Sequence, residues 1–218
     1  MGQKMMFFLP GKGKKLEEYE GLPEHIAQSF GAEFIPLRAP YPHPKPEKAA
    51  QGRRTWFNKF VNEKENGRED ADIEEYMDSL HYIEDEINQR LQAGVDPKDI
   101  LILGHSMGAG LAVHVGLEMK LGSVIAVAAD MPYNLQYQVY SNTPIYWFEC
   151  KNDTVLKDPR RKQSYHLVKD QSNFHYGILP NSTHDDFGPD LLTAVKEIRS
   201  QGKGENTPSL ASIVGKER

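Results

Sequence analysis

A serine with one glycine two residues before it and another two residues after it lies between an apolar run and a helical pattern of small residues. The sequence Gly-His-Ser-Met-Gly occupies residues 104–108, after the apolar run at 100–103 and before the helical pattern at 109–117. Glycines permit a sharp turn from strand to helix, and a serine at the apex presents its hydroxyl above the edge of a parallel sheet. The pattern therefore predicts a strand, a tight turn and a helix, with Ser106 as a nucleophile.

Short apolar runs recur along the chain and alternate with helical patterns. The clearest helix spans residues 73–91, where a stripe of apolar side chains follows Asp72, a typical N-cap, and precedes Gly94. Residues 191–198 predict a last helix. The runs predicted to be strands are residues 5–9, 34–37, 100–103, 124–128, 145–148 and 174–179. This alternation indicates an α/β fold with a mainly parallel sheet of about six strands and helices on both faces.

Two stretches interrupt this alternation. Residues 36–70 carry five prolines, then Trp56 and Phe57, then a charged run. This composition predicts an ordered excursion over the sheet that ends in a solvated loop. Residues 201–218 are polar and predict a mobile tail. We therefore expect residues 1–200 to form one domain, in agreement with a chain length of 218 residues.

Composition indicates the cellular compartment of the chain and excludes some classes of partner. Cys150 is its single cysteine, which excludes an intramolecular disulfide and favours a reducing compartment such as the cytoplasm. The formal net charge is −5 and the basic residues are scattered, so nucleic acid is not an expected partner. The apolar run at 5–9 is too short for a signal peptide or a membrane span, and no stable membrane association is expected. The sequence carries no signal for an oligomeric state.

Acidic and basic side chains follow two later strands at the same edge of the predicted sheet. A serine hydroxyl needs a general base to become a nucleophile, and the base needs an acid to orient it. In the α/β-hydrolase fold these residues follow the serine in the order acid, then histidine. Asp153 follows the strand at 145–150, and His184 follows the strand at 174–179. We therefore predict a triad of Ser106, His184 and Asp153.

Other residues compete for these roles. Asp158, beside Pro159, is the alternative acid, because a lone aspartate in a loop is often only a turn former. His105 precedes the serine, and we expect its side chain to turn away from the apex and pack in the interior. Cys150 has no flanking glycines and is expected to be a buried strand residue rather than a nucleophile.

Acyl transfer also needs donors for a negatively charged oxygen. Backbone N–H groups that point at this oxyanion typically contribute about 10²–10³ in rate each. One is expected from Met107, directly after the serine, and the second from Lys12, in the loop at residues 10–14 that follows the first strand. The glycines of this loop could alternatively form a plain turn or a phosphate-binding loop, although the full spacing of a phosphate loop is absent.

Together these motifs resemble the small carboxylesterase and phospholipase family that includes acyl-protein thioesterases and bacterial predicted esterases. Residues 9–13, Leu-Pro-Gly-Lys-Gly, are similar to the family's LHGxG oxyanion loop, with proline in place of histidine. The Ala-Pro dipeptide at 39–40 and the later Trp56 are similar to a second family motif. The loop around Asp153 keeps the aspartate and the valine of the family's GxxDxxVP pattern but lacks its glycine and its proline. The likeness covers most of residues 5–198.

The resemblance implies a trimmed α/β-hydrolase without a cap domain, with an open site that needs no metal or organic cofactor. Trp56, Phe57 and Tyr133 are the aromatic residues expected to line this site. The implied activity is that of a serine hydrolase that cleaves small-molecule carboxylic esters or thioesters of small to medium acyl groups through an acyl-enzyme. The alternatives are a binding protein that kept the fold without the chemistry, and related acyl chemistry such as amide or lactone cleavage or acyl transfer.

Overall fold

The computed structural model of the chain describes residues 2–62, 68–156, 164–166, 168–169 and 173–201. The alternative acid Asp158 and residues 202–218 lie outside the described residues. Within these ranges the strands are β1 (Lys4–Leu9), β2 (Ala32–Pro36), β3 (Tyr41–Pro42), β4 (Arg54–Thr55), β5 (Lys59–Asn62), β6 (Arg68–Ala71), β7 (Ile100–His105), β8 (Ser123–Val127), β9 (Ile145–Cys150) and β10 (Phe174–Leu179). The α-helices are α1 (Leu22–Ser29), α2 (Pro46–Ala50), α3 (Ile73–Gln92), α4 (Met107–Glu118) and α5 (Gly188–Gln201), and short 3₁₀ helices span Leu16–Tyr19 and Pro97–Asp99.

Six strands form one parallel sheet in the order β2-β1-β7-β8-β9-β10. The chain leaves β1 toward β2 at one edge and returns on the other side of β1 with β7. Loops that follow β1 and β7 therefore run to opposite faces and leave a crevice between them, which is where open α/β sheets bind ligands. The predicted parallel sheet of about six strands is confirmed, and its carboxyl edge at β1 and β7 is the expected place for a site.

Both faces of this sheet are buried under helices. Alternate side chains of β1 enter different clusters: Phe7 and Leu9 pack on the side of α3 and α4, whereas Met6 and Phe8 pack on the side of α1 and α5. Burial on both faces explains why the strands read as continuous apolar runs in the sequence. None of the described helices is both long enough and apolar enough to cross a membrane.

Helix α3 begins where its sequence predicts and ends one residue later. Asp72 Oδ1 accepts a hydrogen bond from the Glu75 N–H at 3.2 Å, which satisfies one of the free donors of the first turn. The Glu75 carboxylate accepts hydrogen bonds from the backbone N–H of Asn58 at 2.5 Å and from its side-chain amide at 2.9 Å. The start of the helix therefore anchors the excursion that precedes it.

The proline-rich excursion contains two small antiparallel sheets, β3 with β4 and β5 with β6, together with the short helix α2. Arg54 fastens its first half, because the guanidinium donates hydrogen bonds to the carbonyl oxygens of Ala39 and Pro40. The charged second half was predicted to end in a solvated loop, and its residues 63–67 lie outside the described residues. On either side of them β5 and β6 pair as antiparallel strands, and Asn62 Nδ2 donates to Asp70 Oδ2 at 2.7 Å.

Candidate active site

The Gly-His-Ser-Met-Gly sequence forms the turn between β7 and α4. Ser106 has φ 53° and ψ −119°, a conformation that costs a non-glycine residue about 1–3 kcal/mol and persists only where its surroundings enforce it. The Ser106 N–H donates to the Val127 carbonyl oxygen at 2.9 Å, and the Ser106 carbonyl oxygen accepts the Gly110 N–H at 3.1 Å. These bonds hold the serine at the apex of the turn.

The glycines of the turn are required by close packing. A Cβ atom on Gly108 would lie 2.3 Å from the Leu9 carbonyl oxygen, and one on Gly104 would lie 2.6 Å from Ala109 Cα. Both obstacles are backbone atoms, which cannot move aside without disturbing the sheet. Positive φ occurs at Ser106 and at neither of these glycines. The glycines therefore allow α4 to approach β1 and β7 closely, while the serine itself carries the strained conformation.

The structure brings the three predicted triad residues into hydrogen-bond contact. Ser106 Oγ lies 3.1 Å from His184 Nε2, and His184 Nδ1 lies 2.8 Å from Asp153 Oδ2. The two loops that follow β9 and β10 are tied together by a hydrogen bond from the Asn152 N–H to the Ser182 carbonyl oxygen at 3.0 Å. One ring nitrogen thus faces the hydroxyl while the other is held by the carboxylate, which is the arrangement that a general base needs.

Asp153 is the most enclosed member of this group. Its side chain is fully buried, and its Oδ1 accepts the N–H groups of Val155 and Leu156 at 2.8 Å each. Burial raises the pKa of the carboxyl group, but the hydrogen bonds from His184 and from these amides outweigh it, so the pKa lies below its ordinary value. Asp153 is therefore a carboxylate at neutral pH, with both oxygens engaged.

A buried hydrogen-bond chain runs behind the histidine. The Gly11 N–H donates to the Tyr19 hydroxyl at 2.8 Å, and that hydroxyl donates to His105 Nδ1 at 2.9 Å. His105 Nε2 in turn donates to the His184 carbonyl oxygen at 2.9 Å. Burial, and then the nearby His184, lower the pKa of His105 to about 3, so its ring is neutral and keeps one proton, on Nε2. The chain links the loop after β1 to the backbone of His184.

Sequence reasoning missed this chain. His105 is buried, as predicted, and its ring packs against Phe187 with centroids 4.9 Å apart, but it also makes two hydrogen bonds. One signal was available, because a histidine in an otherwise apolar strand must find hydrogen-bond partners once it is buried. Its partner Tyr19 lies 86 residues away, a separation that no local pattern connects.

The loop after β1 has one backbone N–H that finds no acceptor in the described part of the chain. Three of its N–H groups donate to protein oxygens at 2.7–3.1 Å, those of Gly11, Gly13 and Lys14. Pro10 has no N–H, and the Lys12 N–H has no acceptor among the described residues. The Met107 N–H lies in the first turn of α4, where the helix itself offers no acceptor. Both predicted oxyanion donors are therefore available, and both residues line the same cavity as Ser106.

The aromatic residues expected at the site lie elsewhere. Trp56 and Phe57 are each 0% exposed. Trp56 Nε1 donates to the Pro10 carbonyl oxygen at 2.8 Å, and Phe57 packs in the core beneath α3. Tyr133 is half-buried and is not among the residues that line the cavity. The expectation that Trp56 and Phe57 contact substrate is corrected: their apolar area belongs to the core, and Trp56 supports the loop after β1 from behind.

A cavity of about 750 Å³ opens above Ser106. The apolar side chains among its described lining residues are Met107, Val155 and Leu156, and the other side chains that line it are charged or polar. Within the described part of the chain, no group of three or more His, Cys, Asp or Glu side chains is arranged to hold a metal ion. The serine hydroxyl therefore faces a polar space rather than an apolar channel.

Comparison with known proteins relates this site to a family. Residues 2–199 match the model of the Phospholipase/Carboxylesterase family. The chain belongs to this family. Acyl-protein thioesterase 1 of Saccharomyces cerevisiae is 26% identical over 215 residues, which cover 91% of this chain and 94% of the yeast protein. The resemblance predicted from the sequence motifs is thereby confirmed.

Solved structures show the same fold. Esterase PE8 superposes with a TM-score of 0.72 at 19% identity, over 92% of this chain and 93% of its own. SOBER1 of Arabidopsis thaliana superposes with a TM-score of 0.71 at 17% identity, over 91% of this chain and 99% of its own. The fold is a small α/β-hydrolase, as expected. Residues 128–144, between β8 and β9, contain no helix, in agreement with the absence of a helical cap at that position.

Proposed function

We propose that this chain is a serine hydrolase that cleaves carboxylic esters or thioesters of small to medium acyl groups. The proposal rests on the two hydrogen bonds of the His184 ring, 3.1 Å from Nε2 to Ser106 Oγ and 2.8 Å from Nδ1 to Asp153 Oδ2. Membership of the Phospholipase/Carboxylesterase family gives the class of reaction, hydrolysis of a carboxylic ester. The yeast relative is named a thioesterase, which adds thioesters to the substrates to be tested.

In the first half of the reaction, Ser106 Oγ attacks the carbonyl carbon while His184 Nε2 takes the hydroxyl proton. Asp153 holds the Nδ1–H of the ring and stabilises the imidazolium that forms. The N–H groups of Met107 and Lys12 bind the negatively charged oxygen of the tetrahedral intermediate. Its collapse expels the alcohol or thiol, which receives the proton from His184 Nε2, and leaves the acyl group on Ser106.

In the second half, water takes the place of the alcohol. His184 Nε2 removes a proton from the water as its oxygen attacks the acyl carbonyl, and the same two N–H groups bind the second oxyanion. Collapse of this intermediate breaks the bond to Ser106 Oγ, which regains the proton from His184. The carboxylic acid then leaves, and the three side chains return to their starting state.

The departures of this chain from the family motifs are compatible with this chemistry. Pro10 replaces a histidine of the oxyanion loop, but its carbonyl oxygen still fixes the loop through Trp56 Nε1. The altered acid loop holds Asp153 through two backbone N–H groups. These contacts support the hydrolase over a binding protein that lost its chemistry. Amide or lactone cleavage and acyl transfer would use the same acyl-enzyme and differ only in the leaving group or acceptor.

Turnover of p-nitrophenyl acetate, butyrate and octanoate tests the proposal. Replacement of the nucleophile in Ser106→Ala is expected to lower kcat by at least about 10⁴-fold, as in serine hydrolases that lose their serine. Ser200→Ala, which removes a remote hydroxyl on α5, is the matched control and should turn over at the wild-type rate. Activity that survives Ser106→Ala, or a folded wild-type protein that hydrolyses none of the three esters, would contradict the proposal.

A further inference from the structure

Cationic side chains are prominent in the cavity above Ser106. Its described lining includes five, and three of them pair with carboxylates: Lys14 with Asp185 at 2.9 Å, Arg53 with Glu18 at 2.8 and 3.0 Å, and Lys59 with Asp130. The other two are Lys12 and Lys48. Neither has a carboxylate within ion-pair distance among the described residues. Positive charge thus remains available on the side of the cavity formed by the loop after β1 and by α2.

Lys12 is the unpaired cation in the loop that supplies the proposed oxyanion N–H. Lys12 is exposed as a residue, but desolvation by the neighbouring protein atoms, and then the positive charge of Lys59, lower the pKa of its ammonium group. The negative charges of Glu69 and Asp130 act in the opposite direction but do not compensate for these effects. An ammonium group offers three N–H donors, and no described residue accepts a hydrogen bond from this one. The ammonium group would therefore form its first ion pair and hydrogen bonds with a negatively charged ligand.

His43 adds a second unused donor beside Lys12. Its side chain is buried, and its Nδ1 accepts the Lys45 N–H at 3.1 Å, so the neutral ring carries its proton on Nε2. Burial, and then the positive charges of Lys12 and Lys48, lower the pKa of His43. The ring packs on the loop after β1, where a Cβ atom on Gly13 would lie 2.9 Å from its Cδ2. No described residue accepts the Nε2–H, although the residue lines the cavity.

We propose that this site prefers small polar esters or thioesters that carry a carboxylate near the scissile carbonyl, and that Lys12 binds this carboxylate with His43 beside it. This inference rests on the proposed serine hydrolase function, because it names the substrate class of the same site. Charge-assisted hydrogen bonds to a carboxylate are about twice as strong as neutral ones. The loop that supplies the oxyanion N–H through its backbone would then select the substrate through its side chain.

The rest of the lining favours a carboxylate over the other candidates. Glu47 and Glu69 also line the cavity, so a doubly charged phosphate would meet more repulsion than a single carboxylate does. A long acyl chain would have to displace water from charged side chains without replacing their hydrogen bonds, which is costly. The Lys12 ammonium and the His43 Nε2–H belong to residues that line the same cavity, and a carboxylate has one oxygen to accept from each of them.

Two pairs of esters that differ in charge measure this preference. In the first pair the charge is on the alcohol side, 4-acetoxybenzoate against its neutral methyl ester. In the second it is on the acyl side, monoethyl succinate against ethyl butyrate. The readout is the ratio of kcat/KM for the charged ester to kcat/KM for its neutral partner. This ratio is independent of the concentration of active enzyme, so partial misfolding of a variant does not change it.

Lys12→Met is expected to lower this ratio about tenfold in at least one pair, the effect of losing one hydrogen bond to a charged group. Lys12→Arg should keep most of the preference. Lys15→Met removes the same charge three residues later, from a residue that is exposed like Lys12 but does not line the cavity, and should leave both ratios at the wild-type value. Equal ratios in wild type and Lys12→Met for both pairs would overturn the inference while leaving the serine hydrolase in place.

Binding to the inactive protein separates the two proposals. Calorimetric titration of Ser106→Ala with 4-acetoxybenzoate and with monoethyl succinate should show, for at least one of them, an affinity that falls about tenfold when Lys12→Met is added. If wild type hydrolyses no ester but this difference is found, the hydrolase proposal fails and the carboxylate site stands. If Ser106→Ala and the double variant bind both charged esters equally, the carboxylate site is wrong whatever the turnover shows.

Discussion

The two walls of the cavity differ in how far the protein satisfies its own polar groups. The closed wall is formed by Ser106, His105 and His184, together with the buried Asp153 that lies behind His184. Each of these side chains hydrogen-bonds another protein group at 2.8–3.1 Å. The open wall consists of Lys12, His43 and Lys48. There, no described residue accepts a hydrogen bond from the two lysine ammonium groups or from the His43 Nε2–H.

This difference indicates a division of work between the walls. Groups that move protons must be fixed before the substrate arrives, because fixed dipoles need no reorganisation during the reaction. Groups that select a substrate contribute most to its binding free energy when no protein group already occupies their hydrogen bonds. We therefore expect changes on the closed wall to lower turnover of all esters alike, and changes on the open wall to alter the choice among them.

The largest effect in this comparison is expected from Asp153→Asn. The side-chain amide would favour the wrong tautomer of His184 and could not stabilise the imidazolium, so kcat should fall about 10³–10⁴-fold. Rates with neutral and charged esters, measured as above, should fall by the same factor, whereas Lys12→Met changes their ratio about tenfold. If the ratio of kcat/KM for charged and neutral esters changes more in Asp153→Asn than in Lys12→Met, the two walls do not differ in function as proposed.

Asp158→Asn is the control for this variant, since Asp158 is the next acid after Asp153 in the sequence. Its kcat is expected to stay within about threefold of wild type, a change of about 0.6 kcal/mol, because the proposed mechanism gives Asp158 no part. A loss in Asp158→Asn that exceeds the loss in Asp153→Asn would move the acid role to Asp158.

The smallest effect, on stability rather than on rate, concerns His105. Its pKa is about 3 in the folded chain and about 6.5 when unfolded. Between these values the unfolded chain binds a proton at this position and the folded chain does not. His105 therefore stabilises the fold above pH 6.5, and this contribution decreases as the pH falls toward 3, by about 1.4 kcal/mol per pH unit.

Urea unfolding at pH 6.0, 5.25 and 4.5 measures this dependence. In His105→Gln, which keeps a donor and an acceptor, stability should fall less steeply with decreasing pH than in wild type, by about 1 kcal/mol per pH unit. His81→Gln is the control, because His81 is exposed on α3, and its slope should match that of wild type. Parallel slopes for wild type and His105→Gln would show that His105 is not held neutral on the closed wall.

Much of the fold could be predicted from the sequence because its signals are local. Apolar runs of strand length alternate with helical patterns, and α3 has its cap at Asp72 and its stop near Gly94. The loop positions of Asp153 and His184 followed from the chain order and from the shared edge of parallel strands. The 2.8 Å contact between His184 Nδ1 and Asp153 Oδ2 depends on backbone hydrogen bonds in the two loops, and no residue pattern displays those bonds.

The remaining features depend on contacts between distant residues. The aromatic pair Trp56 and Phe57 was expected at the substrate, but a sequence cannot show which face of the excursion meets the core, and both rings are buried there. Tyr19 and His105 are joined across 86 residues. The charge of Lys12 is visible in the sequence, but that no described residue pairs with it depends on how distant segments line the cavity.

Reaction with a fluorophosphonate, followed by mass mapping of peptides, shows whether Ser106 is an activated nucleophile. The reagent modifies a serine only where a base activates its hydroxyl and an oxyanion site holds the phosphoryl oxygen. We expect one adduct, on Ser106, formed rapidly in wild type and at least about 10³-fold more slowly in His184→Ala. A folded wild-type protein that carries no adduct on Ser106 would contradict this mechanism. A His184→Ala variant that is labelled as fast as wild type would also contradict it.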